Sequence, residues 1–456
     1  MTKRADLLKT RSAITITSYM EKTYDVIKKG GDKLALLGLF AFALLIARFI
    51  VASKSTILLS QPIKLNHAGL SVSMPAGNGW NSEKQWRHQE NAFYLSSKLA
   101  LDFNNPAAQA YCRYLLCTET TSTQTKFEQK AFEYNSKIMK TGRIETEELT
   151  FDWALMEKPK TPFGFIFGTA KLPRNHQLDI EVHQVMNDSG MAEQAFQDIV
   201  DSLNFEDNEL LEAGTQIISK IKSRGLGVFF DKQHQQAFFL LKDSKMRAIG
   251  FSMDVVIDSG PEVQPNIQAA ALFYIKSERT PYTHEQVISF EGSNNLDEFV
   301  MKSDITNVTG TEITVEPSGL MTVRKSGSQP KSYYLSHTAI PEIFIEQLIS
   351  QVLDSGKNEI IVDIIEADGK ISPMLVSGIE TKKDITTDEV AYLLNLELLD
   401  GRGYSEQVFL NEEKQVFKKL IHQRDTYIFE STTSEDIMGR FPECTEYILQ
   451  ADKILK

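Results

Sequence analysis

One short stretch of the sequence brings several potential metal ligands together. It contains His176, Asp179, Glu181 and His183. Alternate residues of a strand point to the same face, so the last three share one side. Histidine and carboxylate groups bind zinc and other divalent ions, but residues two apart on a strand are ~6.5–7 Å apart, so one ion reaches only neighbours. The sequence therefore favours a solvated sheet face over a metal site. The intervening apolar residues should face the core: Leu178, Ile180 and Val182.

A second acidic group lies near a predicted hairpin tip, at Asp363, Glu366 and Asp368. Carboxylates bind calcium, but an ordinary acidic turn explains the same residues and is favoured. The remaining histidines are scattered and lie beside no nucleophile pattern: His67, His88, His234, His284, His337 and His422. The sequence predicts no catalytic, cofactor-binding or metal-binding residue, and hence a protein that is not an enzyme. A hydrolase with dispersed active-site residues stays an alternative.

Well-known catalytic motifs are missing from the sequence. It contains no phosphate-binding G-x-x-x-x-G-K-[ST] loop, no G-x-S-x-G, no H-E-x-x-H, no EF-hand loop and no CxxC. The three cysteines, Cys112, Cys117 and Cys444, are too few for a disulfide scaffold, and we expect buried thiols.

The most hydrophobic segment is a 19-residue run at 34–52, interrupted only by Arg48. A helix of this length spans ~28 Å, close to the hydrocarbon thickness of a bilayer. A cleaved signal peptide fits less well, because 33 residues precede the run and no small-residue cleavage site follows it. We therefore predict a retained transmembrane helix; a buried core helix is the alternative.

Charge on the two sides of this run predicts its orientation. Residues 1–33 carry eight basic and four acidic residues, whereas the chain beyond residue 52 carries 40 basic and 57 acidic residues, a net charge of −17. Basic residues remain on the cytoplasmic side, so 1–33 should be a cytoplasmic tail and the remainder extracytoplasmic, or periplasmic in a bacterium with two membranes. Such an acidic domain argues against nucleic acid as a partner.

The first soluble unit is predicted at 66–206. Alternating apolar residues indicate a strand at 70–74, and further strands are predicted at 143–156, 163–172 and 177–186. Helical spacing predicts helices at 123–140, with Phe127, Ala131, Tyr134 and Ile138 on one side, and at 190–205.

The two ends of this unit carry a family resemblance. A strand running into MPAGNGW, and a final helix reading AEQAFQDIVDSLNF, resemble PsbP-like domains. The resemblance covers about 140 residues and implies a compact α+β module with a central antiparallel sheet flanked by helices. It implies a binding or assembly role and carries over no site residue.

A connecting helix is predicted at 207–225, followed by a second unit at 226–456. Strands are predicted at 251–257 and in a meander at 408–430, with a helix at 340–355 between them. Consecutive antiparallel strands with one or two helices indicate a wide curved sheet. In strand order this is similar to the LolA-type lipoprotein carriers, in which a curved sheet holds an acyl chain under a helix. A filled core with no cavity is the favoured alternative.

These observations predict a strand-rich α+β protein with one transmembrane helix and two antiparallel-sheet domains. The favoured function is a membrane-anchored binding or scaffold protein that needs no cofactor and has a protein partner or belongs to an envelope assembly. The alternative is a tethered carrier of an apolar ligand in the second domain.

Overall fold

The computed structural model describes residues 42, 58–65, 69–77, 80–87, 91–102, 105–146, 149–161, 163–185, 189–205, 208–230, 234–276, 283–305, 308–380, 390–423 and 425–449. Its first half contains, in order, β1 (Leu58–Leu59), β2 (Ile63–Leu65), β3 (Leu70–Val72), β4 (Pro75–Ala76), β5 (Trp80–Arg87), β6 (Ala92–Asp102), β7 (Asn105–Leu115), β8 (Cys117–Glu119), α1 (Thr123–Glu133), β9 (Lys137–Glu145), β10 (Thr150–Glu157), β11 (Phe163–Lys171), β12 (Gln177–Val185), α2 (Ser189–Asp201), β13 (Asn204–Phe205) and α3 (Glu209–Arg224).

The second half continues with β14 (His234–Lys242), β15 (Ala248–Asp258), β16 (Ile267–Lys276), β17 (Thr283–Gly292), β18 (Phe299–Ile305), β19 (Val308–Val315), β20 (Leu320–Lys325), β21 (Lys331–Leu335), β22 (Ala339–Pro341), α4 (Ile345–Ser355), β23 (Glu359–Ile365), β24 (Ile371–Glu380), β25 (Tyr392–Leu398), β26 (Ser405–Leu410), β27 (Val416–His422), β28 (Thr426–Ser431), α5 (Ser434–Arg440) and α6 (Thr445–Leu449). Short 3-10 helices lie at Pro173–Asn175, Leu226–Phe229, Glu342–Phe344 and Pro442–Cys444. These residues form a strand-rich α+β protein with antiparallel sheets, as predicted.

Seven strands form an antiparallel sheet in the order β5-β6-β7-β12-β11-β10-β9. Helix α2 packs on one face, where the ring of Phe196 lies against Phe151 and Trp153. Gly168 makes room for this ring, because a Cβ there would lie 2.3 Å from it. Helix α1 covers part of the other face with a separate apolar cluster. Both faces of the sheet are therefore covered by helices.

Helix α1 is shorter than the sequence predicts. It ends at Glu133, Asn135 adopts a φ of 48°, and β9 begins at Lys137, so the helix predicted to continue to residue 140 is wrong. The chain reverses direction and β9 returns beside the helix. One cluster therefore contains apolar residues from both sides of the turn: Phe127, Ala131, Tyr134 and Ile138.

The structure confirms some of the other predicted strands and helices and corrects the bounds of others. The single strand predicted at 143–156 is wrong, because β9 and β10 are two paired strands. Strands β11 and β12 confirm the predictions at 163–172 and 177–186, and α2 and α3 confirm helices in their regions. The helix predicted at 340–355 starts late: β22 and a 3-10 turn precede α4.

Sixteen strands form a second sheet in the order β22-β23-β24-β25-β26-β27-β28-β14-β15-β16-β17-β18-β19-β20-β21-β8. Neighbours are antiparallel except β22 and β23. This sheet confirms the predicted strand at 251–257, as β15, and the meander at 408–430. Strands β21 and β22 lie near opposite ends of this order, yet only residues 336–338 separate them in the chain. The sheet therefore curves until its end strands come close together.

The central strands of this sheet have an apolar cluster on each face. On one face, Phe251 and Leu272 pack against Ile437 and Phe441 from the C-terminal helical segment. The opposite face carries a second cluster that includes Phe239, Leu241 and Phe429. Helices α3 and α4 pack on β23 and β24, and α3 approaches so closely that a Cβ at Gly214 would lie 2.0 Å from the Ile361 carbonyl oxygen.

The first segment contributes directly to the second sheet. Strand β8, from the segment 66–206, pairs with β21, and residues 59–456 form one compact unit. The division into domains at 66–206 and 226–456 with a linker at 207–225 stays a prediction. Helix α3 both joins the two segments and packs on β23.

The predicted cytoplasmic tail and the predicted transmembrane helix at 34–52 lie outside the described residues, apart from Phe42. Within the described part of the chain, none of the helices has the length and apolar character needed to span a bilayer. Cys112, Cys117 and Cys444 are buried free thiols, as predicted.

Candidate functional site

A cavity of about 510 Å³ lies between α1 and one face of the seven-stranded sheet. Its lining combines four cations, four carboxylates and three tyrosines. The cations are Arg87, Arg113, Lys126 and Lys130, and the carboxylates are Glu119, Glu133, Asp179 and Glu181. The tyrosines are Tyr94, Tyr111 and Tyr134. The formal charge of this lining is zero.

Strand register builds the floor of the cavity. On the paired strands β7 and β12, Arg113 lies opposite Asp179, and Tyr111 lies opposite Glu181. Strand β6 adds Tyr94 opposite Arg113. Since directly opposed residues point to the same face of a sheet, these side chains converge on one surface.

Helix α1 forms the roof because its two sides differ in polarity. Ser122 caps its first turn by accepting a hydrogen bond from the Thr125 amide. One side packs on the sheet through Phe127 and Ala131. The polar side projects over the cavity with the i, i+3, i+4, i+7 spacing of neighbours on a helix. These residues are Lys126, Gln129, Lys130 and Glu133.

Asp179 is buried, with 3% of its surface exposed. Arg113 Nε donates to its carboxylate at 3.0 Å, and Thr169 and Gln177 donate to the other oxygen at 2.7 and 2.8 Å. A carboxylate with these partners forms part of a fixed polar network. The predicted solvated face is therefore wrong at this position, because α1 and Arg113 cover it.

The network extends through Glu119. Arg113 Nη2 lies 3.1 Å from Glu119 Oε1, and Lys126 Nζ lies 3.3 Å from Glu119 Oε2. Lys126 also donates to Gln177 Oε1 at 2.7 Å. Each of these cations thus contacts more than one oxygen, and their positions are fixed before any ligand binds.

Glu181 is the centre of a second group of contacts. Lys130 Nζ lies 2.6 Å from its Oε1, the Tyr134 hydroxyl donates to its Oε2 at 3.3 Å, and His183 Nε2 lies 3.1 Å from the same oxygen. Burial raises the pKa of Glu181, but the His183 and Lys130 contacts outweigh burial and hold this pKa at about 2.

The neighbours of Glu181 respond to its charge. Burial and the Glu181 carboxylate both raise the pKa of Tyr111 and of Tyr134. Burial lowers the pKa of Lys130, yet the charge of Glu181 more than compensates and leaves it raised. The carboxylate and the ammonium therefore stay ionised, and the phenols stay neutral, around neutral pH.

His176 lies outside this cavity, although it comes from the same stretch of sequence. Its Nδ1 contacts the Tyr114 hydroxyl and its Nε2 lies 3.3 Å from Asp363 Oδ2. These three side chains resemble a hydrolytic triad in connectivity. They are 1–3% exposed, so a substrate has no access to them. The arrangement joins the first segment to the second.

The acidic residues at the β23–β24 turn do not converge. Asp363 binds His176 and the Thr338 hydroxyl, Glu366 pairs with Arg402, and Asp368 pairs with Lys370. Across all the described ranges, no group of three or more His, Cys, Asp or Glu side chains is placed to hold a metal ion.

The alternating pattern of β12 indicates Asp179, Glu181 and His183 but not the cations that pair with the two carboxylates. The polar spacing on α1 was a usable signal for Lys126 and Lys130. Arg113 had no comparable signal, because its role depends on which strand pairs with β12.

Comparisons with known proteins assign no family. No protein-family model matches the sequence, and no curated protein matches it either. Among solved structures, the chain is similar to a β-barrel-like protein of the domain of unknown function DUF1849 from Brucella abortus, with a TM-score of 0.33 and 12% identity over 44% of this chain and 95% of that one. No family model and no curated protein links the chain to a PsbP-like domain or a lipoprotein carrier, so both resemblances stay predictions.

Proposed function

We propose that the protein is a membrane-anchored binding protein without catalytic activity, and that the cavity under α1 is its ligand site. The observation that carries this proposal is the convergence of paired charges and tyrosines on one cavity of about 510 Å³. Small-molecule sites are usually concavities of ~300–1,000 Å³ with a few fixed polar groups. Groups already held in place lose little freedom when a ligand binds.

The protonation states support binding rather than proton transfer. A general acid or base works best when its pKa is near the working pH. Glu181, at about 2, is far from that range, and the pKa of Tyr134 is shifted upward, away from neutrality. These groups act as permanent hydrogen-bond acceptors and donors.

The alternative of an apolar ligand in residues 226–456 has weaker support. Lys419 lies 2.7 Å from Glu346 Oε1 and 4.8 Å from the centre of the ring of Phe239, a member of one of the apolar clusters of that segment. Asp254 and Glu406 interact with the same ammonium group. A hydrocarbon chain there would have to desolvate these charges, which is costly.

The anchor and the envelope setting are part of the proposal. They rest on the apolar run at 34–52 and on the change from a basic tail to an acidic remainder. Protease added to the outer side of an intact cytoplasmic membrane, after any outer membrane has been removed, should digest residues beyond 52 and spare residues 1–33. Protection of the large acidic part would contradict this orientation.

The binding role is tested by blocking the cavity. Gln129 lines it and Gln124 is exposed on the same helix outside the lining, so Gln129→Trp and Gln124→Trp form a matched pair. Full-length protein in detergent is heated with neutral sugars, glycine betaine, inorganic phosphate or spermidine. At least one probe should raise the melting temperature of the wild type and of Gln124→Trp, but not of Gln129→Trp. Equal shifts in all three proteins, or none in any, would contradict the proposal.

A further inference from the structure

The formal charges of the cavity lining sum to zero, and this restricts the net charge of the ligand. Four cations face four carboxylates in its lining. A ligand with a net charge would add an uncompensated charge to a site where solvent is partly excluded, and such a charge is expensive. A ligand without net charge avoids this cost.

Three of the four cations already contact carboxylates: Arg113, Lys126 and Lys130. Arg113 contacts Asp179 and Glu119, and Lys130 lies 2.6 Å from Glu181 and 3.4 Å from Glu133. An anionic ligand at any of these three cations would have to compete with a carboxylate that is already in contact. A cationic ligand would have to compete with an ammonium or a guanidinium group in the same way.

Hydrogen-bonding capacity remains after these pairs are formed. A carboxylate has about four lone-pair directions and a guanidinium has five N–H donors. The cavity therefore presents acceptors and donors side by side, as hydroxyl groups require, because a hydroxyl both donates and accepts. The three tyrosines add flat ring surfaces, and Arg87 lies 4.0 Å from the centre of the Tyr94 ring.

We infer that the ligand of this cavity is an uncharged polyhydroxylated molecule of the size of a mono- or disaccharide. The inference rests on the proposed function, since it names the ligand class of the same site. It excludes phosphate esters, carboxylates and polyamines as preferred ligands, and it assigns the Glu133 and Glu181 carboxylates as acceptors for ligand hydroxyl groups.

The test is calorimetric titration of the full-length protein in a detergent without a sugar headgroup. The neutral probes are glucose, maltose, trehalose and cellobiose; the charged probes are glucose 6-phosphate and glucosamine. At least one neutral sugar should bind at least tenfold more tightly than both charged probes. Equal or tighter binding of a charged probe would overturn the inference and leave the proposed function standing. If none of the four neutral sugars binds measurably, the inference is overturned. The proposed function fails as well only if glycine betaine, phosphate and spermidine also leave the melting temperature of the wild type unchanged.

A matched pair of variants tests the charge argument. Glu133→Gln gives the lining a net charge of +1, whereas Glu128→Gln changes an exposed residue of the same helix outside the lining. Glu133→Gln should move the ratio of glucose 6-phosphate to glucose affinity toward the phosphate by at least threefold, and Glu128→Gln should leave this ratio unchanged. An identical ratio in both variants would overturn the role given to charge balance.

Discussion

His176 Nε2 lies 3.3 Å from Asp363 Oδ2, and this contact joins the segment that holds the cavity to the sixteen-stranded sheet. Both side chains are almost completely buried. The second imidazole nitrogen contacts the Tyr114 hydroxyl, and Thr338 donates to the same Asp363 oxygen at 2.6 Å. Each polar group at this junction therefore has a partner, and removal of one leaves another unsatisfied in the interior.

Replacing Asp363 should destabilise the fold. Asp363→Ala removes the partner of His176 and of Thr338, and we expect a loss of about 3 kcal/mol in the free energy of unfolding. Urea denaturation at pH 7 measures it. Asp368→Ala is the control, because Asp368 is 36% exposed and pairs with Lys370 at the same turn; its loss should remain within about 1 kcal/mol. Equal losses in the two variants would mean that the buried contacts of Asp363 contribute no more to stability than an exposed ion pair.

Glu181 should make the stability of the protein sensitive to acid. Its pKa is lowered from 4.5 to about 2, so the stabilisation is complete above pH 4.5 and is lost as pH falls toward 2. Glu181→Gln should therefore cost on the order of 3 kcal/mol at pH 7 and progressively less below pH 4.5. Urea titrations at pH 7, 4 and 3 measure the difference. A difference independent of pH would contradict the assignment.

Glu342, unlike Glu181, should destabilise the folded protein when its carboxylate is ionised. Burial and the nearby Glu366 carboxylate raise its pKa from 4.5 to about 7. The ionised form is therefore penalised in the folded protein above pH 7, and this penalty disappears as pH falls to 4.5. Glu342→Gln keeps an oxygen for the Ala367 amide, 3.0 Å away. It should stabilise the protein by about 1–2 kcal/mol at pH 8 and by nothing at pH 4.5. Melting curves at both pH values decide this.

Gly168 should tolerate no side chain. A Cβ there would lie 2.3 Å from the Phe196 ring, so Gly168→Ala forces α2 away from the sheet and should cost about 1–3 kcal/mol. Gly439→Ala is the matched control, because no atom lies within 4 Å of its added Cβ and it lies in α5. Alanine favours helices, so the control should be neutral or stabilising by up to about 1 kcal/mol. A loss in both variants would remove the steric explanation.

Local patterns in the sequence predicted the elements but not what covers them. Alternation correctly placed Leu178 and Ile180 in the core and put Asp179 and Glu181 on the opposite side. It could not show that α1, from more than forty residues earlier, lies over that side. A two-residue period shows which side chains share a face of the strand. Whether that face is exposed or covered depends on distant parts of the chain.

The error at 123–140 has a related cause. Tyr134 and Ile138 are four residues apart, as on a helix, and both do contact the cluster under α1. Tyr134 contacts the cluster from the turn after α1, and Ile138 contacts it from β9. Apolar spacing alone does not separate these two geometries; the turn at Asn135 does, and a single asparagine is a weak signal in the sequence.

The short link at residues 336–338 restricts how the large sheet can move. Four peptide units separate Leu335, at the end of β21, from Ala339, at the start of β22, and a fully extended chain of this length reaches no more than about 14 Å. Strand β22, at one margin of the sheet, and β21, the neighbour of β8 at the other margin, therefore stay within that distance at this link while the strands persist. The sheet cannot flatten or unroll as a fluctuation of the native state. The central strands are hydrogen-bonded to a neighbour on each side, which predicts slow amide exchange along them.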